Sequence, residues 1–132
     1  MSTPTGETDL RTLLSGLAPA LAATPRVLRV QPHDAPVPAD ALLVFREAEG
    51  TTVITEATEA DAPDAPRWAQ VTLEIHSSLE AVGMMAAISA ALARAGIPCN
   101  VVSAYYHDHL FVPWARRDDT VAALRALVEA HA

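Results

Sequence analysis

The feature that most constrains this chain is the run of residues 67–76, where Ala69, Val71, Leu73 and Ile75 alternate with Gln70, Thr72, Glu74 and His76. A period of two puts the apolar set on one face of a strand, and that face must be covered. The residues that follow supply the cover. Ser77 and Glu80 have the spacing of a capping box, and Val82, Met85, Ile88 and Leu92 then recur along one side of a helix that closes at Gly96, with Arg94 in its last turn. Residues 96–113 predict two strands folded about a polar Tyr106-His107-Asp108-His109 turn. Asp118 and Asp119 open a last helix with Val121, Leu124, Leu127 and Val128 inward. Strand, helix, strand, strand, helix is a ferredoxin-like α+β unit that lacks its fourth strand. An open sheet edge exposes unpaired backbone groups. A strand from the amino-terminal half, or from a second chain, is therefore expected to fill the place.

The amino-terminal half predicts one helix and three strands. Residues 1–8 are small and polar and read as a flexible tail. From the capping residue Asp9, Leu10, Leu13, Leu14 and Leu17 recur at helical spacing, and Gly16 and Pro19 end the helix. Strands are expected over 26–31, 41–46 and 51–55, the last two joined at Glu49-Gly50, with Pro32, Pro36 and Pro38 stiffening the loop before them. Residues 56–66 contain only Ala, Asp, Glu, Thr and Pro, which reads as a solvated linker. The expected organisation is a tail over 1–8, a first unit over 9–55, a linker over 56–66 and a second unit over 67–132.

Charge excludes several functions. The formal net charge is −7 and all nine basic residues are arginine, so no basic stripe is available for nucleic acid. Without lysine there is no Schiff base and no phosphate-loop lysine. The single Cys99 cannot form an internal disulfide, which fits a reducing, cytoplasmic setting. The start of the chain lacks the basic and apolar regions of a signal peptide. The most apolar stretch, 82–93, is broken by Gly83 and Ser89 and falls short of the roughly 20 residues of a membrane span, so no membrane partner is expected.

Candidate chemistry lies in two places. His107 and His109, two apart in an extended chain, share a face and with His76 could bind a metal. The alternative is that they are ordinary residues of a hairpin, where Asp108 bonds local backbone. His76, Ser77 and Ser78 stand at a strand end before a helix N-terminus, where free N–H groups and the helix dipole favour a carboxylate or phosphate. Ser77 capping the helix is the competing use. Gly83, early in the helix, suggests close backbone packing or room for a ligand. Cys99 reads as a small buried hydrophobe, whereas Asn100, a poor strand former, is the better candidate for ligand contact. Tyr105 and Tyr106 face opposite ways, so one can be core while the other lines a groove. No nucleophile-elbow pattern surrounds any serine, and catalysis is not expected.

The run from His76 to Gly83, followed by residues 96–113 with their Tyr-Tyr-His-Asp-His segment, resembles small bacterial tandem ACT-like domain proteins. Gly6-Glu7-Thr8-Asp9-Leu10 and Phe45-Arg46-Glu47-Ala48-Glu49-Gly50 look like the first ACT-like unit of that family. The resemblance implies a ferredoxin-like βαββαβ fold, with antiparallel sheets, helices on one face and two units sharing strands. It also implies pairing of units, as in a homodimer, and non-catalytic sensing of a small molecule, usually an amino acid, with no cofactor. In such domains the effector lies against the loop between the first strand and first helix. Carried onto this chain, that assigns ligand contact to His76, Ser77, Ser78, Glu80, Val82 and Gly83, with Asn100 on the facing strand. Backbone N–H groups near Ser78 to Gly83 would hold the ligand carboxylate, and His76 or Glu80 the amino group. The other readings are a metal-dependent enzyme or metal-binding protein using His107, His109 and His76, and a purely structural interaction module.

Overall fold

A computed structural model of the chain describes residues 9–75 and 81–132. Its elements in chain order are α1 (Leu10–Gly16), β1 (Pro19–Leu21), β2 (Arg26–Gln31), β3 (Leu43–Glu47), β4 (Gly50–Glu56), β5 (Trp68–Leu73), α2 (Met84–Arg94), β6 (Asn100–Ser103), β7 (Asp108–Pro113) and α3 (Arg117–Ala130), with a 3-10 turn at Trp114–Arg116. The strands form one antiparallel sheet in the order β3-β4-β2-β5-β7-β6, and β1 pairs with β5 beside that path.

The alternating strand is the pivot. In β5, Ala69, Val71 and Leu73 are fully buried while Trp68, Gln70 and Thr72 are half-buried, as a strand with one covered face requires. The cover is a layer of three helices. Leu13, Leu14 and Leu17 at α1, Met84, Ile88 and Leu92 of α2, and Leu124 of α3 pack with Ala69, Val71, Leu73, Leu110 and Val112 into one core. The expected fourth strand comes from the amino-terminal half. Pro19, Ala20 and Leu21 pair with Leu73, Thr72 and Val71, and so close the edge that β7 and β6 leave open on the other side. This short strand was not expected from the sequence, because Pro19 read only as a helix stop.

Strands β3, β4 and β2 extend the sheet beyond the helices. Register puts Val27, Arg29, Thr51, Val53 and Thr55 on the face continuous with the helix-covered one, and Val27, Thr51, Val53 and Thr55 are buried there. The 57–67 segment folds against this half. Arg29 donates to the Thr55 hydroxyl and pairs with Asp61 at 2.7 Å, and the Ala57 amide donates to the Pro25 carbonyl.

Several boundaries differ from the sequence reading. β5 ends at Leu73, short of Ile75. Helix α2 starts at Met84, and its buried stripe is Met84, Ile88 and Leu92. Val82 precedes the helix and is 83% exposed, so it does not belong to that stripe. In the hairpin, Asp108 and His109 are already in β7. The turn lies two residues earlier, over 104–107, closed by the Ala104 amide donating to the His107 carbonyl at 3.0 Å. Tyr105 and Tyr106 are both exposed and meet edge-to-face, with ring centroids 5.0 Å apart, so neither is core.

Candidate functional site

The entrance to α2 is built by a glycine in a conformation other residues avoid. Gly83 is the N-cap with φ 97° and ψ −17°, in the left-handed region where a Cβ is disfavoured. A Cβ there would also lie 3.3 Å from Leu10 Cδ2 of α1. At the other end of the same connection, a Cβ on Gly16 would lie 3.1 Å from Ile75 Cδ1. The amino-terminal helix thus runs close to both ends of the β5–α2 connection. Having no side chain, Gly83 cannot cap α2. Among the described residues, none accepts a hydrogen bond from the amides of Met84, Met85 or Ala86. These N–H groups and the dipole of an 11-residue helix make a site suited to a carboxylate or phosphate. His76, Ser77, Ser78 and Glu80, and the capping box they predicted, lie outside the described residues.

Asn100 opens β6, opposite Phe111. It is exposed on the outermost strand, at the end of the short strand away from Ser103, whose partner Asp108 adjoins the last residues of β5. Within one chain it is therefore level with Gln70, two strands from β5 and roughly 10 Å short of the end of that strand at Leu73, at about 3.3 Å per strand residue.

The His-Asp-His segment is organised by hydrogen bonds. Arg26 Nε donates to Gln70 Oε1 at 3.0 Å, which turns Gln70 Nε2 toward His109 Nδ1 at 3.2 Å, and the Thr72 hydroxyl reaches the same nitrogen at 3.0 Å. With two donors aimed at it, Nδ1 acts as acceptor, and the neutral ring carries its proton on Nε2. Burial first, then the nearby His107 ring at 6.4 Å between centroids, hold His109 below the usual histidine range, and Asp108 only partly opposes them. Asp108 is buried and accepts from the Ser103 hydroxyl at 2.6 Å, so its carboxylate serves the hairpin. His107 stands in the turn just before β7 and His109 within the strand, with their ring centroids 6.4 Å apart. Among the described residues, however, no group of three His, Cys, Asp or Glu is placed to hold a metal, and His76 lies outside those residues. Cys99 is half-buried against the core, and burial pushes its thiol up from the ordinary value.

The Arg26–Gln70–His109–Thr72 chain was missed in the sequence because Gln70 and Thr72 read simply as the outward side of β5. Alternation does put them on one face, but only the register with β7 sets His109 beside them.

The sequence profile of the ACT domain matches residues 65–126, and a second ACT-domain profile matches residues 5–67. Among solved structures, the chain is similar to a Vibrio cholerae protein of unknown function described as a possible transport protein. The match has 32% identity and a TM-score of 0.76, and covers 92% of this chain and 97% of that one. A protein from Agobacterium tumefaciens shares the fold at 16% identity and a TM-score of 0.68, over 85% of this chain and 89% of that one. No curated protein matches.

Proposed function

Because the chain belongs to the ACT-domain family, with two such units in tandem, we propose that it is a regulatory domain that senses an amino acid and acts without catalysis. ACT domains are typically small-molecule-binding regulatory domains, often dimeric, and the proposal narrows that to one ligand class. The observation that carries it is the α2 entrance. Gly83 in a left-handed conformation presents first-turn amides that no described side chain caps, at the strand-to-helix connection of the second matched unit. A ligand carboxylate fits those amides. His76, Ser77, Ser78, Glu80 and Val82 complete the loop around it, with His76 or Glu80 meeting the amino group.

Asn100 enters this scheme through pairing of copies. It stands on an edge strand, so it reaches a ligand held by a neighbouring chain more readily than one held by its own. The open sheet face also supports a homodimer. Leu28, Val30 and Phe45 share that face by register and are 38%, 72% and 62% exposed, a contiguous apolar patch of the kind that marks interaction surfaces. In this scheme residues 9–55 and 67–132 are the two units, 56–66 joins them, and 1–8 is a tail. The lone cysteine supports a cytoplasmic setting, and no helix among the described residues is long and apolar enough to cross a membrane.

A thermal-shift screen of the common amino acids tests the proposal. A ligand at a hundred times its dissociation constant stabilises by about 2.7 kcal/mol, a shift of several degrees for a chain of this size. If no amino acid raises the melting temperature, the reading fails.

A further inference from the structure

The two tryptophans of the chain line a single open cleft of about 420 Å³ at the start of β5, between Pro66, Arg67 and Trp68 on one wall and Pro113, Trp114 and Ala115 on the other. The backbone fixes both walls. Trp68 pairs with Pro113 in the sheet register, and the Trp114 amide donates to the Arg67 carbonyl at 3.0 Å. Trp114 is set from behind, because the Arg117 guanidinium lies 4.0 Å from its ring centroid and Arg117 Nη1 donates to its carbonyl at 2.7 Å. Arg67 Nη1 donates to the carbonyls of Ala62 and Ala65 at 3.2 and 2.7 Å, which anchors the guanidinium at the rim while leaving its other nitrogens for a further acceptor.

The chemistry of the walls is one-sided. Two indole rings and two prolines supply apolar surface, and the side chains offer only donors: the indole N–H groups, which have no partner among the described residues, and Arg67. No Asp or Glu lines the cleft, although the chain as a whole carries a net charge of −7. The volume lies within the range of small-molecule sites, and apolar walls with a few convergent polar groups are their usual composition. Flat rings stack on indole faces, and a guanidinium pairs with a carboxylate.

We propose that this cleft is a small-molecule site separate from the α2 entrance, and that it takes a planar aromatic carboxylate, with its ring against Trp68 and Trp114 and its carboxylate on Arg67. Trp68 is also the residue through which β5 pairs with Arg26 of β2, so a ligand there rests on the junction between the two parts of the sheet.

Phenylacetate is a suitable probe, since it is transparent where tryptophan is excited. With the full chain, the fluorescence and the two indole N–H resonances should change saturably, with a midpoint in the millimolar range or below for so small a ligand. Benzyl alcohol, which lacks the charge, should bind about tenfold more weakly. Arg67→Gln should weaken phenylacetate about tenfold and leave benzyl alcohol unchanged, while Arg67→Lys should restore part of the loss. Melting curves of both variants establish that they are folded, and if Arg67→Gln is not, the benzyl alcohol comparison in the unaltered chain decides. Shifts that do not saturate, shifts confined to the amides after Gly83, or equal affinity for the acid and the alcohol would overturn the proposal.

Discussion

The two parts of the sheet make opposite use of the same architecture. Around β5 one face is sealed by three helices over fully buried Ala69, Val71 and Leu73, and the other carries a polar network through Gln70, Thr72 and His109. In β3-β4-β2 no helix contributes to the core described above, and the outer face is apolar, with Val30 and Phe45 flanking Thr52 across three strands. The difference traces to chain routing. Helix α1 and strand β1 come first in sequence, yet they pack with the carboxyl-terminal elements, pairing with β5 and joining its core. The β3-β4-β2 part thus has the 57–67 segment rather than a helix beside its buried Val27, Val53 and Thr55, and Leu28, Val30 and Phe45 stay exposed on the opposite face, where an association surface is expected.

If α1 truly belongs to the far core, its loss should be felt there. Leu13→Ala removes a fully buried side chain and should cost about 3 kcal/mol, as Leu92→Ala in α2 should. Hydrogen exchange in β5 should accelerate equally in both variants. Faster exchange in Leu13→Ala confined to β2, β3 and β4 would break the comparison, since α1 would then serve its own half. Gly83→Ala sharpens it at one point of contact. The left-handed φ of 97° and the 3.3 Å approach to Leu10 predict a loss of about 1–2 kcal/mol by denaturant unfolding. Gly96, with φ 69° but nothing within 4 Å of a Cβ, isolates the conformational part. Gly96→Ala should cost less than Gly83→Ala, and a larger cost would mean that the Leu10 contact is immaterial.

The bare face makes a smaller demand on stability. Phe45→Glu replaces a side chain that is 62% exposed, so the folded monomer should change by no more than about 0.5 kcal/mol. Self-association measured by sedimentation should fall sharply. Unchanged association would move the interface elsewhere, to the β6 edge or the helices.

Much of the carboxyl-terminal half was readable because its signals are periodic and local. The alternation from Ala69 to Leu73 holds, with Ile75 beyond the strand, and Ile88 and Leu92 face inward as their spacing requires. The errors fall where local rules meet a special backbone. The helical spacing counted Val82 with the buried stripe, whereas Gly83 in a left-handed conformation starts α2 at Met84 and leaves Val82 in solvent. β1 was hidden because a three-residue strand has too few positions to show a period, and its pairing with β5 spans about 50 residues of chain. The tryptophan cleft was hidden for a similar reason. Trp68 and Trp114 belong to one site only because of the β5–β7 register, and no spacing in the chain announces that.

The polar side of the comparison makes the finest prediction. His109 bridges β7 to β5, and through Gln70 reaches Arg26 of β2, which lies 3.7 Å from Glu56 of β4. Burial first, then His107, lowers its affinity for a proton, and Asp108 only partly opposes them. The unfolded chain, with a histidine near 6.5, therefore takes up this proton before the folded one. Stability should be unaffected by this group above about pH 6.5 and should decline as pH falls from there through the lower folded value. Protonated Nδ1 would also turn a donor toward the Gln70 amide and the Thr72 hydroxyl that now donate to it. His109→Asn keeps a polar side chain and removes the titration. The melting temperature of the unaltered chain should thus fall more between pH 7.5 and 5.5 than that of the variant, a small difference because the ring is part-exposed. Parallel curves would show that the β5–β7 network tolerates the proton, and that the polar face, like the apolar one beside it, is open to solvent exchange without cost to the fold.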